Sequence, residues 1–365
     1  MVRGDDRHFL MGLRPKSVLL ERTAEYERAS IPINRLFRVY VSSARDATDT
    51  VVVELRTPKS IKVDSVERRV VLPPFGGRNV FFRIRGVLKP GADSISALVR
   101  IPTPAPGPRR PGAVSDFGGQ TYQVGTIPRE YPHVPMQAFF RLAGERVEAV
   151  DLRVPPRLRV AYVKGTDEAP TSLGQLQINV QTLDPSLLSV VDLTAFNTVL
   201  IGTDAARGDA LAGAAESLQQ FMRQGGTVVI LPNGPDVAQS GLLPYPVVFD
   251  TVPRGISNPD AEVHILNPRA SLLSWPNAIT ATDFKDWAGE RARSVPLGID
   301  ARYGTVIAIG DLESATPTTI LTARIGRGML VYTSLALDTQ LAAVHPGAAR
   351  LLVNMLTAGM SPTKK

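Results

Sequence analysis

Cysteine is absent from this chain of 365 residues. Its absence excludes disulfide bonds, thiolate metal sites and any cysteine nucleophile. Histidine is scarce as well: the four histidines lie far apart and never at the close spacing of a helical zinc pair. We therefore interpret each histidine as a surface or capping residue and expect no metal and no cofactor.

Long apolar runs are also missing. No run approaches the roughly 20 residues that a membrane-spanning helix needs. The start, MVRGDDRHFLMGLRPKS, lacks the uninterrupted apolar core of a secretory signal. With 44% hydrophobic and 21% charged residues, the chain is globular and long enough for two domains. We expect a soluble or peripheral protein, and the compartment stays open.

Positive charge is concentrated in the first part of the chain. Residues 1–150 carry 24 Lys and Arg against 15 Asp and Glu, whereas the remainder carries 17 against 19. Most of these cations are arginines, which suit bidentate contacts to a carboxylate or phosphate on a partner. The imbalance predicts a basic surface on the domain that the first part forms.

Short segments with alternating apolar residues run from Ile33 to about Val124, separated by Pro, Gly, Asp and Ser. In NVFFRIRG, Val80, Phe82 and Ile84 share one face. Such strands with no helix between them predict an immunoglobulin-like β-sandwich over residues 33–128. Residues 1–32 are expected to form an N-terminal extension. The proline-rich residues 101–119 are expected to form an extended loop, either a contact element or a flexible surface loop.

A basic face is expected on this sandwich. Its candidate partner-binding residues are Arg38, Arg68, Arg83, Arg85, Arg109 and Arg110. One interpretation is a solvated surface, and the other is a docking face for an acidic protein or anionic lipid headgroups. Nucleic acid is the least favoured partner, because no recognition helix, aromatic stacking motif or zinc finger accompanies the charge.

After an expected linker at residues 129–156, the pattern changes to alternating strands and helices over residues 157–365. Buried strands such as TVVILPN alternate with an amphipathic helix at about 209–224 and a closing helix that begins at Pro346. This alternation predicts a doubly wound α/β domain with a parallel sheet and right-handed crossovers.

Polar residues follow three of these strands. The candidate ligand-binding crevice comprises Lys164, Thr166, Asp167, Thr203, Asp204 and Asn233. The carboxyl ends of parallel strands meet at one edge of a sheet, where open α/β folds bind ligands. The alternative is a fold that keeps polar loop residues there without a ligand.

Several blocks carry a family resemblance: IPREYPHVP, FMRQGGTVVI, SWPNAITATDF and GRGMLVYTS. Together they resemble the C-terminal part of bacterial PIG-L (LmbE-like) deacetylases, over roughly residues 33–358. In that family a zinc-dependent N-acetylglucosamine-type deacetylase domain precedes a β-sandwich and a domain similar to class I glutamine amidotransferases. The resemblance therefore implies a flavodoxin-like, amidotransferase-like fold for residues 157–365.

The catalytic residues of that family have no counterpart in this sequence. Its His-Pro-Asp-Asp signature is echoed only by RGDDRH, where Asp5, Asp6 and His8 follow no strand, and we interpret these as solvated residues. The amidotransferase cysteine is missing, and no Gly-x-Ser-x-Gly elbow replaces it. His345 precedes a helix and is interpreted as a cap neighbour.

The sequence thus predicts a protein that is not an enzyme. We expect a binding or scaffolding protein, an accessory subunit that docks on a larger assembly, which can be membrane-associated, through its basic β-sandwich. A protein partner is expected, and an anionic membrane surface or a glycan remains open. The alternative function is the carbohydrate-targeting part of a PIG-L-type deacetylase.

Overall fold

The computed structural model describes residues 14–102, 119–131, 133–208, 210–211, 213–252, 254–310 and 319–360. Arg109, Arg110, most of the proline-rich segment and the group Asp5, Asp6 and His8 lie outside these residues. The chain divides into two compact units. The first comprises Met1–Glu25 and Ala29–Val147, and the second comprises Tyr26–Arg28 and Glu148–Lys365.

Strands make up the regular structure described up to residue 150. They are β1 (Lys16–Leu20), β2 (Ala24–Arg28), β3 (Ile33–Ser43), β4 (Asp49–Arg56), β5 (Ile61–Val63), β6 (Glu67–Leu72), β7 (Gly77–Gly86), β8 (Gly91–Arg100), β9 (Thr121–Tyr122), β10 (Val124–Tyr131), β11 (Val134–Leu142) and β12 (Gly144–Val150). One sheet has the order β1-β3-β7-β5, a second has the order β2-β12-β8-β4-β6 with β9 beside β8, and β10 pairs with β11.

Alternation decides which side chains enter the sandwich core. On β3, Phe37, Val39 and Val41 are buried, while the residues between them are exposed. Opposite them on β7, Val80 and Phe82 are buried in the same way. The predicted β-sandwich character of this part of the chain is confirmed.

The structure corrects two of the expected boundaries. The described part of the expected N-terminal extension contains β1 and β2, and the expected linker at 129–156 contains β11, β12 and the end of β10. Val147, Ala149 and Val150 of β12 are at most 1% exposed. Burial of such apolar surface orders a segment that looks polar in sequence.

Strands and helices alternate in the second unit. Its strands are β13 (Arg159–Val163), β14 (Asn179–Leu183), β15 (Thr198–Ile201), β16 (Thr227–Ile230), β17 (Val247–Val248), β18 (Val263–Ile265), β19 (Gly298–Ile299), β20 (Gly304–Thr305), β21 (Ile307–Ile309), β22 (Ile320–Ile325) and β23 (Gly328–Thr333). Its α-helices are α1 (Ala169–Gln175), α2 (Ala215–Arg223), α3 (Gly234–Gln239), α4 (Leu337–Ala342) and α5 (Pro346–Leu356). Short 3₁₀ helices span Pro185–Leu187, Leu193–Ala195, Ser271–Leu273 and Ala281–Phe284.

A sheet of order β14-β13-β15-β16-β23-β22-β20 forms the centre of this unit. Its first five strands are parallel neighbours, and the last two are antiparallel. Leu218 and Met222 of α2 pack on the face that carries Val199 and Ile201. The Thr198 hydroxyl donates to the Leu356 carbonyl oxygen, so α5 lies on the opposite face. The helix expected at 209–224 is shorter and begins at Ala215.

Candidate functional site

The residues of the predicted crevice come together at the carboxyl ends of β13, β15 and β16. Backbone hydrogen bonds join the first two loops: the Thr166 N–H donates to the Thr203 carbonyl oxygen at 2.8 Å. The Asn233 amide nitrogen reaches the Gly202 carbonyl oxygen at 2.8 Å. The predicted proximity of these residues is therefore observed.

Each oxygen of the Asp167 carboxylate accepts one hydrogen bond at this edge of the sheet. One carboxylate oxygen accepts from the Ala169 N–H at 2.9 Å, at the start of α1. The other accepts from the Thr203 N–H at 2.6 Å. Burial raises the pKa of the neighbouring Tyr162 hydroxyl, and the Asp167 charge raises it further. Tyr162 therefore keeps its proton, and its hydroxyl bonds the backbone of Asp167 and Gly165.

Asn233 is engaged in the same way. Its side chain is 3% exposed, donates to the carbonyl oxygens of Gly202 and Leu231, and accepts from the Ala206 N–H. These three bonds use most of what an amide side chain can offer. An incoming ligand would have to break bonds that hold the loops together.

Two glycines close the space between the first two loops. A Cβ on Gly165 would lie 2.2 Å from the Thr203 carbonyl oxygen, and a Cβ on Gly202 would lie 2.7 Å from the Gly165 nitrogen. The loops therefore touch backbone to backbone. Only Lys164 and Asp204 of the predicted crevice stand clear of this packing, and Asp204 is 3.4 Å from the exposed Arg207 guanidinium.

Three of the predicted basic-face arginines do share one surface. Arg38 on β3 and Arg83 and Arg85 on β7 project from the outer side of the sheet β1-β3-β7-β5. Arg38 pairs with Glu21 at 3.1 Å, and both side chains are solvent-exposed. The guanidinium groups of Arg83 and Arg85 share the Asn34 side-chain oxygen, each at 3.3 Å.

Arg68 does not belong to this surface, which corrects the prediction. It lies on β6 opposite Val53, a residue of the sandwich core. Its guanidinium stands 5.5 Å from the centre of the buried Phe82 ring and 2.6 Å from the Asp64 carboxylate. At the edge of a sandwich a long side chain can extend over core aromatics to reach a carboxylate in solvent.

Sequence reasoning placed Tyr40 with Arg38 outside the core but did not count the exposed apolar side chains of this face among the candidate contacts. Leu36 and Tyr40 alternate with Arg38 on β3 and are 54% and 41% exposed. Phe81 lies opposite Arg38 on β7 and is 48% exposed. The alternation in LFRVYV and NVFFRIRG contained this signal, since the buried residues of each strand place its other residues outside. We call Leu36, Arg38, Tyr40, Phe81, Arg83 and Arg85 the outer face.

A polar cavity of about 360 Å³ lies in the second unit. Its lining residues are Asp151, Arg153, Ser274, Pro276, Asn277, Ala278 and Arg350. Asn277 is buried and hydrogen-bonds both the backbone of Arg153 and the side chain of Asn354. Arg350 is held by the buried Asp283 carboxylate. Sequence reasoning did not identify this cavity, because its residues come from three distant segments.

Within the described parts of the chain, no three His, Asp or Glu side chains converge in a way that could hold a metal ion. None of the helices described above has the length and apolar character required to cross a membrane.

Comparison with known proteins identifies no family for this chain. No family model and no curated protein matches the sequence. Among solved structures, the β-galactosidase of Rahnella sp. R3 is similar over 54% of this chain and 31% of its own, with 14% identity and a TM-score of 0.34. The β-galactosidase of Bacillus circulans is similar over 55% and 31%, with 12% identity and a TM-score of 0.29. The α2-macroglobulin of E. coli is similar over 32% and 8%, with 15% identity and a TM-score of 0.23. This chain spans about a third of the length of the two galactosidases.

Proposed function

We propose that this protein is a non-catalytic accessory subunit that docks on a larger, negatively charged assembly through the outer face. The observation that carries the proposal is how the guanidinium groups of Arg83 and Arg85 are paired. Within the described residues their side chains hydrogen-bond the neutral Asn34 amide and form no ion pair; the nearby Asp64 carboxylate accepts from the Arg83 backbone N–H and pairs with Arg68. Guanidinium groups without an ion-pair partner, on the same face as exposed aromatic side chains, favour a partner that supplies negative charge.

The hydrogen bonding of two polar side chains in the second unit supports the proposal that the protein is non-catalytic. The carboxylate and amide best placed for chemistry, Asp167 and Asn233, hold loops together through several hydrogen bonds. No cysteine is available anywhere in the chain as a nucleophile. We infer that this edge of the sheet serves stability.

We also infer a flavodoxin-like, amidotransferase-like fold for the second unit. Numbered in chain order, its five parallel strands lie in the order 2-1-3-4-5, which is that of flavodoxin-like doubly wound sheets. Helices on both faces agree with this assignment. The resemblance to the C-terminal part of PIG-L-type deacetylases implies the same fold.

The docking proposal is tested by native mass analysis of the untagged protein in its own lysate. We expect the wild-type chain to migrate in a larger complex at low salt and to leave it as salt rises. A variant with Arg38→Glu, Arg83→Glu and Arg85→Glu should migrate alone.

The matched control changes three exposed cations elsewhere in the first unit, Lys59→Glu, Arg69→Glu and Lys89→Glu. It has the same net charge as the outer-face variant and should stay in the complex. A wild-type chain that migrates alone would refute the accessory-subunit proposal. Equal loss in both variants would show that the outer face is not the contact.

The polar cavity favours one alternative, a carbohydrate-targeting function. A carboxylate, two guanidinium groups and a hydroxyl line it together with the apolar Pro276 and Ala278. Such a mixture of donors, acceptors and apolar surface suits a polyhydroxy ligand. Binding to a glycan array that Arg153→Ala abolishes would support this function. An array without signal would exclude it for the glycans tested.

A further inference from the structure

The outer face carries its aromatic side chains on the two central strands of a four-stranded antiparallel sheet. Tyr40 lies on β3 and Phe81 on β7. Because Arg38 is paired with Phe81 and Tyr40 with Asn79, the two rings are diagonal neighbours across the pair. The backbones of diagonal neighbours are about 7–8 Å apart, and the Tyr40 ring extends toward Gly77, away from Phe81, so the two rings are separate stacking positions along one face.

Tyr40 lies against the sheet rather than standing away from it. A Cβ on Gly77 would come within 2.3 Å of the Tyr40 hydroxyl and 2.6 Å of the adjacent ring carbon. Glycine at this position therefore leaves room for the ring to rest over the backbone. A ring placed in this way can present its other side to solvent, consistent with its 41% exposure.

The positive charge lies beside these rings, toward the other end of the strands. Arg83 and Arg85 continue the row of Phe81 along β7, and Lys62 on the edge strand β5 is paired with Arg85. Alternate residues of a strand are about 7 Å apart. The face thus has an aromatic end and a cationic end in one plane.

We propose that the outer face binds single-stranded nucleic acid without sequence preference. Bases stack on Tyr40 and Phe81, while Arg83 and Arg85 contact the phosphates. Stacking of bases on sheet aromatics beside a cationic track is how several single-strand-binding modules work. The inference rests on the proposed docking function and names the chemistry of the partner.

The expectation against nucleic acid rested on the lack of a recognition helix, an aromatic stacking motif and a zinc finger, and the exposed Tyr40 and Phe81 bear on the second of these grounds. An acidic protein surface would also be attracted by the arginines. Protein interfaces are also enriched in Tyr and Phe, so the comparison of oligo-dT with an acidic peptide separates the two partners.

The experiment measures the fluorescence anisotropy of a labelled 15-nucleotide oligo-dT with the full chain at several salt concentrations. We expect Tyr40→Ala with Phe81→Ala to weaken binding about 10-fold or more. Tyr40→Phe should bind like the wild type, since the ring is kept. Arg83→Gln with Arg85→Gln should reduce the slope of log affinity against log salt by about 0.7 for each phosphate that the variant no longer neutralises.

Controls separate stacking from charge alone. Phe139→Ala removes an exposed aromatic ring that lies on β11, outside the four-stranded sheet, and should not change the affinity. A 15-residue oligoglutamate peptide and phosphatidylserine vesicles should bind more weakly than oligo-dT. Neither should respond to the two alanine substitutions.

Two results would overturn the inference. Oligoglutamate or vesicles that bind as tightly as oligo-dT, with no effect of Tyr40→Ala and Phe81→Ala, would identify an acidic protein or a membrane instead. If oligo-dT does not bind while the cellular complex still depends on the outer-face arginines, the nucleic-acid assignment fails and the docking function stands. If oligo-dT does not bind and the cellular complex does not depend on the outer-face arginines, both the nucleic-acid assignment and the docking function are refuted.

Discussion

At the scale of single residues, Asn354 is a buried polar side chain that makes four hydrogen bonds. It is fully buried on α5, its side-chain oxygen accepts two bonds from Asn277, and its nitrogen donates to the carbonyl oxygens of Leu272 and Asn277. Asn354→Leu leaves several buried groups without partners. We expect the free energy of unfolding, measured with urea, to fall by about 3 kcal/mol. Asn179→Leu, at an exposed site, should cost far less, and equal losses would contradict this account.

At the scale of elements, the start of α5 depends on a neutral histidine. His345 Nε2 donates to the Lys285 carbonyl oxygen at 2.8 Å, which leaves Nδ1 to accept from the Ala348 N–H at 3.4 Å. Burial lowers the pKa of His345, and the nearby Arg350 charge contributes in the same direction. The sequence predicts His345 as a cap neighbour. In the structure the His345 ring itself caps α5.

This lowered pKa predicts a pH dependence of stability. The unfolded chain takes up the His345 proton near pH 6.5, before the folded chain does. The contribution of His345 to the free energy of unfolding is therefore complete above the pKa that His345 has in the unfolded chain. It is lost as the pH falls toward the lower pKa of His345 in the folded chain. Urea unfolding should give a lower free energy at about pH 5.5 than at about pH 7.5, and His345→Asn should remove part of that difference. An unchanged pH profile in His345→Asn would contradict the prediction.

At the scale of the whole molecule, the second unit is completed by three residues from near the start of the chain. Tyr26, 1% exposed, donates from its hydroxyl to the His345 carbonyl oxygen and from its backbone to the Gln175 side chain, both at 2.9 Å. Tyr26→Ala removes a large buried ring, at a cost of about 3 kcal/mol. Amide hydrogen exchange in α1 and α5 should accelerate about 100-fold, because a difference of 1.4 kcal/mol corresponds to a factor of ten.

The comparison variant for this prediction is Tyr40→Ala. It removes a tyrosine ring of the same size from an exposed site of the first unit. Exchange in α1 and α5 should stay at the wild-type rate. If Tyr26→Ala leaves these rates unchanged as well, Tyr26 is not part of the core of the second unit.

Much of the architecture could be predicted because it depends on neighbouring residues. The alternation in β3 and β7, the hairpin of β22 and β23 around Gly326, and the start of α5 at Pro346 follow from local periodicity and backbone preference. The strands β11 and β12 could not be predicted from their own residues. β12 lies between β2 and β8, which are distant in sequence, whereas β11 forms a hairpin with β10 in a segment whose prolines obscure the strand pattern.

For the candidate crevice, the positions of the residues could be predicted from the sequence but their hydrogen-bond partners could not. The proximity of Thr166, Asp167 and Asn233 followed from the rule that parallel strands end at one edge. The hydrogen-bond partners of Asp167 and Asn233 could not be predicted in the same way. These partners, Thr203, Ala169 and Ala206, depend on close backbone packing at Gly165 and Gly202.

By itself, the sequence determined the absence of cysteine chemistry, the concentration of positive charge in the first part, and the change from alternating strands to strand-helix repeats. Composition and periodicity are properties of the chain alone. Only the tertiary structure decided that Arg68 lies over Phe82 while Arg83 and Arg85 share one exposed sheet face with Tyr40 and Phe81. The physical reason is that exposure and charge pairing depend on which strands become neighbours, and those neighbours are tens of residues apart in sequence.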